Sequence, residues 1–237
     1  VGIGLIVTAV IQSSSATTVM IVGFVNAGIL SLFQATAMIM GANIGTTITA
    51  QIAALESIDI TQFAIALAGI GIFIEMLGKS EKVKTIGLAL SGLGLVFLGL
   101  KSMANAMSGF KENEVIFNAL QTINNPLILL LIGAGFTALI QSSSAVTTII
   151  ISMVASGLII GDGGNAPLYV ILGTNIGTCV TALISSMGAS TNAKRTSIIH
   201  LLFNLFGSII FMVILLLWKD FNQNSLSVWF KLPSTQI

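Results

Sequence analysis

The chain has 237 residues, of which 55% are hydrophobic and 7% are Asp, Glu, Lys or Arg, and its formal net charge is +1. A soluble domain of this length carries about 59 charged residues, and the 9 basic and 8 acidic side chains present are too few to cover a globule's surface or to neutralise a phosphate backbone. The composition excludes a soluble domain and a nucleic-acid partner and makes lipid the solvent for most of the chain; the chain reads as an all-α integral membrane protein.

The apolar run is already under way at Val1, so part of the first membrane segment is expected to precede it, and targeting is not read from this end. Val1 to Ile11 and Ala16 to Val25 are each too short to span a bilayer, which takes about 20 helical residues. They read as half-helices flanking the polar run Gln12 to Ser15. Asn43 to Thr47 lies inside apolar flanks in the same way and is expected to be a second helix break, with Thr46 and Thr47 starting the next half-helix. After the acidic stretch Glu56 to Asp59 come a span from Thr61 to Gly78, a loop from Lys79 to Lys84 with three lysines, and a span from Ile86 to Met103. Glu75, four residues before Lys79, reads as a helix-surface ion pair with it. Ala104 to Asn125 mixes Lys111, Glu112 and Glu114 with apolar residues and suits an interfacial helix and an extramembrane loop equally. The polar runs then recur at Gln141 to Ser144 and Asn175 to Thr178. The last span is Ser197 to Trp218, with Trp218 beside Lys219 as an interface anchor.

The recurrence is an internal duplication. G-L-I-V-T-A-V-I-Q-S-S-S from Gly4 matches G-A-G-F-T-A-L-I-Q-S-S-S from Gly133, and G-A-N-I-G-T-T-I-T from Gly41 matches G-T-N-I-G-T-C-V-T from Gly173. Three residues separate the two offsets, most simply inserted in the Gly161 to Pro167 loop. The chain divides accordingly into a first repeat (1–78), a linking span and interfacial segment (79–125), a second repeat (126–218) and a C-terminal tail (219–237). Because lysine-rich loops stay cytoplasmic, Lys79 to Lys84 and Lys194 with Arg195 are placed inside, and Glu56 to Asp59 outside. The repeats are then inverted in topology around a central site, each crosses the membrane an odd number of times, and one motif-bearing hairpin is re-entrant. The Gln-Ser-Ser-Ser hairpin is assigned that part. Irregular backbone at membrane depth is tolerated where it is buried in protein or lines a wet cavity, so the four polar runs should face one, the arrangement of a secondary transporter's site.

Ser13, Ser14 and Ser15, with Ser142, Ser143 and Ser144, stand before helical segments, where free N–H groups make an anion site; Thr46 and Thr178 are assigned to the same substrate. The ends of the preceding half-helices, with the amides of Gln12, Gln141, Asn43 and Asn175, offer carbonyl oxygens suited to a hard cation such as sodium, a set to which Thr18, Thr47 and Thr147 are added. Gln12 and Gln141 serve both. No charged side chain falls in the four motifs, so a bound anion needs a cation's help.

These motifs resemble those of the sodium-dependent phosphate cotransporters, whose halves each carry Gln-Ser-Ser-Ser followed by Gly-x-Asn-Ile-Gly-Thr. The resemblance covers most of Gly4 to Gly207 and includes Arg195, His200, Phe203 and Asn204 in an R-x-x-x-x-H-x-x-F-N pattern, which the first repeat lacks. It implies sodium-coupled symport of inorganic phosphate by alternating access, with the Gln-Ser-Ser-Ser segments lining one shared site and no cofactor beyond sodium as coupling ion. The small size and short loops are similar to the bacterial branch and imply the bacterial cytoplasmic (inner) membrane. Phosphate, sodium ions and the lipid bilayer are the implied partners, with a homodimer as the assembly considered.

Serines in membrane helices often only satisfy backbone carbonyls, but duplication in matched context favours binding. For His200 a hydrogen bond to a neighbour is the simplest expectation, and for Cys179, in the place of Thr47, small-residue packing. Neutral donors distinguish oxyanions poorly, so sulfate remains an alternative substrate and a passive anion channel an alternative mode. An intramembrane serine hydrolase would need one base for two matched serine clusters, and His200 is the single histidine; no enzyme activity is expected. Inverted topology predicts that Ser57→Cys and Asn192→Cys, each in a Cys179→Ser background, react with an impermeant thiol reagent from opposite faces of the membrane. Reaction from one face would make the repeats parallel.

Overall fold

A computed structural model describes residues 1–54, 61–158, 160–161 and 164–218. Every regular element among them is helical: α1 (Gly2–Ile11), α2 (Ser14–Asn26), α3 (Leu32–Ala54), α4 (Thr61–Leu77), α5 (Glu81–Glu112), α6 (Glu114–Gln121), α7 (Pro126–Ile140), α8 (Ser143–Ala155), α9 (Ala166–Ser185) and α10 (Thr191–Leu217). Glu56 to Asp59, on which the orientation of the first repeat rests, lies outside the described residues, as do Asp162 and Gly163 of the insertion loop, the 219–237 tail, and the side chains of Lys111 and Glu112.

Among the described residues, three helical stretches are long and apolar enough to cross a membrane: Glu81–Met103, Ala166–Ser185 and Thr191–Leu217. Phe33, Leu139 and Leu217 are each more than 80% exposed, a placement that water would penalise and hydrocarbon does not. The protein is an all-α integral membrane protein. The span expected from Ser197 begins earlier, at Thr191, because the Ser190 hydroxyl accepts from the Ala193 N–H and caps the helix there. Ala104 to Asn125 is mostly helical: α5 runs on to Glu112 and α6 follows, until Asn125 caps α7 by accepting from the Leu127 and Ile128 N–H groups, with Pro126 at the first position. The expected Glu75–Lys79 pair does not form, since α4 ends at Leu77 and the helical register is lost before Lys79; among the described residues the ion pair is Lys84–Glu81, at 3.4 Å on the surface.

The chain forms two compact units. One comprises Val1–Gln51, Asn118–Ile150 and Ile159–Ile237 and holds all four polar motifs. In it, α1 and α3 interlock through glycine: a Cβ on Gly4 would strike the Met38 backbone, and one on Gly41 the backbone of Val1 and Leu5. The second repeat does the same, Gly133 meeting Val170, and Gly173 meeting Leu130 and Ala134. Backbones that approach this closely are the means by which membrane helices associate without a hydrophobic driving force. Ile21, Val22 and Val25 of α2 pack with Ala35, Ile39 and Ala193 as the apolar core beside them. The other unit, Ile52–Phe117 with Ile151–Leu158, contains α4 and α5, joined at Gly71 against Ser91 and Gly94 against Ala68 by the same small-residue contact.

One expectation fails here. The Asn-Ile-Gly-Thr runs are not helix breaks: α3 passes through Asn43–Thr47 and α9 through Asn175–Thr178 without interruption. The glycines that suggested a break are contact points instead, Gly45 against Leu5 and Thr8, Gly177 against Ala134 and Thr137. The hydroxyls turn back on their own helices, Thr46 donating to the Ala42 carbonyl at 3.1 Å and Thr178 to that of Thr174 at 2.9 Å, so neither threonine caps a helix start.

Candidate functional site

The breaks occur at the two glutamines. Gln12 ends α1 at φ 58°, ψ 27°, and Gln141 ends α7 at φ 58°, ψ 26°. They are the non-glycine residues with positive φ among those described. Left-handed backbone costs an ordinary residue about 1–2 kcal/mol, and its recurrence at matched positions marks a constraint imposed twice. Each glutamine N–H closes a 2.7 Å bond to the carbonyl of the threonine four residues back, Thr8 or Thr137, which terminates the helix. The chain then extends at Ser13 and restarts. The Ser13 hydroxyl accepts from the Ala16 N–H at 3.1 Å, and the Ser142 hydroxyl from that of Ala145 at 3.2 Å. These caps satisfy one orphan donor each; the N–H groups of Ser14, Ser15, Ser143 and Ser144 have no hydrogen-bond partner among the described residues.

Ser14 and Ser143 line a small cavity together with Asn43, Thr46, Asn175 and Thr178. The lining consists of three matched pairs, one residue from each of the four motifs and a second from each Asn-Ile-Gly-Thr run. Its volume is about 10 Å³, near the minimum for one water. All six residues belong to the first of the two units. No charged side chain is among them. The ends of α2 and α8 bring partial positive charge, roughly half a unit each, to this point. Thr46 and Thr178 have committed their protons to helix carbonyls, so toward the cavity their oxygens present lone pairs.

The remaining sequence-predicted residues lie around this cluster. Ser13 and Ser142 are caps, and Ser15 and Ser144 sit half-buried one residue beyond the lining serines. Gln12 and Gln141 are exposed at the breaks; the Gln12 amide donates to the Ala9 carbonyl and accepts from the Thr49 hydroxyl, both at 2.6 Å. Thr47 is exposed and bonded to its own helix, Thr18 is fully buried with a hydroxyl that meets no partner among the described residues, and Thr147 is half-buried.

Two features escaped the sequence reading. Thr8 and Thr137, wholly buried and with hydroxyls that meet no partner among the described residues, occupy matched places one turn before the breaks. Their signal was present, since both lie inside the duplicated segment. The second is a chain of contacts behind Asn43: its Nδ2 donates to Asn204 Oδ1 at 2.9 Å, and Asn204 Nδ2 donates to the His200 carbonyl at 3.0 Å and to Cys179 Sγ at 3.3 Å. Cys179 is thus a hydrogen-bonding member of the cluster as well as a packing residue. The His200 ring differs from expectation, as neither nitrogen meets a partner among the described residues although the residue is fully buried.

The chain matches the Na+/Pi-cotransporter family over residues 1–105 and 110–227. It is 33% identical over 206 residues to YqeW, an uncharacterized protein of Bacillus subtilis, covering 86% of this chain and 65% of YqeW. It is 31% identical over 214 residues to YjbB of Escherichia coli, named for inorganic phosphate export, covering 89% of this chain and 38% of YjbB. Sodium-dependent phosphate transport protein 2A of Rattus norvegicus is 46% identical over 101 residues, 41% of this chain and 15% of that protein. The chain therefore spans less than two thirds of the length of these relatives. No solved structure matches it.

The backbone at the breaks makes a direct prediction. Gln141→Gly relieves a left-handed side chain and should raise stability in detergent by about 1 kcal/mol, whereas Gln141→Val should lower it by at least about 1 kcal/mol. Equal thermal unfolding of the two variants would show that the break carries no backbone strain.

Proposed function

The chain belongs to the Na+/Pi-cotransporter family, a family of transporters and not of enzymes, and on that premise we propose that it moves inorganic phosphate together with sodium by alternating access. The observation that carries this reading is the cavity lined by Ser14, Asn43, Thr46 and their counterparts Ser143, Asn175 and Thr178. In the proposed complex, phosphate accepts from the free N–H groups and hydroxyls at the starts of α2 and α8. Sodium takes the neutral oxygens of the asparagines and threonines, with Gln12, Gln141, Thr18, Thr47 and Thr147 entering as the site opens.

The energetics require both ions. A divalent phosphate at membrane depth has a large desolvation cost, and two helix termini of roughly half a charge each do not offset two full negative charges. With no basic side chain in the lining, sodium supplies the rest. The cavity holds about one water, so phosphate enters only when the two Gln-Ser-Ser-Ser corners separate. Unbroken α3 and α9 support assigning the re-entrant part to α1–α2 and α7–α8, whose 10 to 15 residues each are short for a span. Inverted repeats would let one corner open to each face of the cytoplasmic membrane in turn. Symport has no built-in direction: the sum of the sodium and phosphate gradients sets it, so a relative named for export and another named for sodium-dependent transport are consistent with one coupling chemistry.

The test is phosphate binding and uptake by the purified chain in proteoliposomes. Replacing sodium by choline at equal ionic strength should weaken phosphate affinity at least about tenfold, sodium affinity should fall by the same factor without phosphate, and neutralising Lys79, Lys101 or Arg195 singly should leave that coupling intact. Phosphate should accumulate against its gradient, and accumulation of sulfate in its place would make another oxyanion the substrate. Tight phosphate binding in choline contradicts sodium coupling, and uptake that only equilibrates makes the protein a channel.

A further inference from the structure

The two halves of the site are matched in sequence and unmatched in their support. On α3, the Asn43 side chain that lines the cavity is tied through Nδ2 to Asn204 Oδ1 at 2.9 Å. On α9, the side chain of the counterpart Asn175 makes no hydrogen bond among the described residues; the Cys179 Sγ contact, at 3.4 Å, goes to its backbone carbonyl. Asn204 lies in the His-x-x-Phe-Asn run that the first repeat lacks, so the duplication supplies no counterpart of Asn204 for Asn175.

The orientation of the Asn204 amide is fixed by chemistry. Its other end lies 3.0 Å from the backbone carbonyl of His200, a group that can only accept, so that end must be Nδ2. A flipped amide would set two oxygens face to face in a site where Asn204 is 6% exposed. Oδ1 therefore faces Asn43 and demands a donor, and Asn43 answers with Nδ2. The atom Asn43 has left without a partner among the described residues is its own Oδ1, an acceptor. One turn on, Thr46 also offers only lone pairs, its proton being held by Ala42. The first repeat thus presents two neutral oxygens from one face of α3.

We infer that Asn204 is a positioning residue: by holding the Asn43 amide with its carbonyl oxygen toward the cavity, it makes the first repeat's half a dedicated sodium-accepting half, while the Asn175 amide stays free to turn. The inference rests on the sodium–phosphate reading above and adds an asymmetry that the duplicated motifs do not contain. Asn204 touches neither ion and acts through Asn43 alone.

The test uses the full chain in detergent and measures binding of radiolabelled sodium against choline, then phosphate binding at saturating sodium. Asn204→Leu removes the tether and should weaken sodium binding about tenfold, the scale of one lost hydrogen bond to a ligating group, with phosphate affinity at saturating sodium changed less than about twofold. Asn204→Ala should do the same through a smaller side chain if the leucine variant does not fold. Asn204→Asp should stay within about threefold of wild type, because a protonated carboxyl can donate to the His200 carbonyl and accept from Asn43 as the amide does. In an Asn43→Leu background, Asn204→Leu should cost nothing further. Unchanged sodium affinity in Asn204→Leu or Asn204→Ala, equal losses for the leucine and aspartate variants, or additive losses in the double variant would each overturn the positioning role while leaving sodium-coupled transport standing. A wild-type chain that binds no sodium would overturn both.

Discussion

A helix that begins inside hydrocarbon leaves up to four backbone N–H groups without intrahelical partners, and each unpaired group costs several kcal/mol there. In the proposed arrangement α2 and α8 both begin this way, one residue past a left-handed glutamine, and the rest of the site depends on how that deficit is met. Ser13 and Ser142 cover one donor each. Of the serines whose N–H groups are left over, Ser14 and Ser143 line a cavity together with residues of α3 and α9. An arrangement that holds unpaired donors together at depth is stable when something else accepts from them, and an oxyanion has enough lone pairs to serve both helices.

Holding such a strained corner requires rigid neighbours. The glycine contacts between α1 and α3, and between α7 and α9, lock each broken helix against an unbroken one at backbone distance. The same glycines place Thr8 beside Gly45 and Thr137 beside Gly177, so the end of the broken helix and the polar face of the unbroken one are built as one piece. Movement in the proposed cycle is then directed to the Gln-Ser corners, where Gln12 and Gln141 already sit in the left-handed region, and not to the helices that carry the asparagines. Behind α3, Asn204 ties α10 to the site and connects it to Cys179 on α9.

The membrane class, the duplication and the lining serines were legible because each leaves a direct trace: too few charges, a repeated string, and a cap residue at a helix start. The half-helices on either side of Gln12 were legible from length alone. The Asn-Ile-Gly-Thr runs misled because a glycine inside apolar sequence has two meanings, a break or a close helix contact, and the choice depends on whether a partner helix is adjacent. Gly41 and Gly45 have α1 against them, so α3 continues. The Asn43–Asn204 contact joins residues 161 positions apart and has no local pattern to betray it, though both residues fell inside recognisable motifs. His200 shows the limit from the other side: its place in the motif was plain, yet the group engaged is its backbone carbonyl and not its ring.

The central claim is that both repeats meet at one small site through Ser14 and Ser143. The most direct measurement is cross-linking of a chain carrying Ser14→Cys and Ser143→Cys, with Cys179→Ala, by the shortest bifunctional thiol reagents, followed by sizing of fragments cut between the repeats. The account predicts an efficient link within one chain at the shortest spacer. Failure of every short spacer, or links formed only between chains, would show that the two serine corners do not share a site.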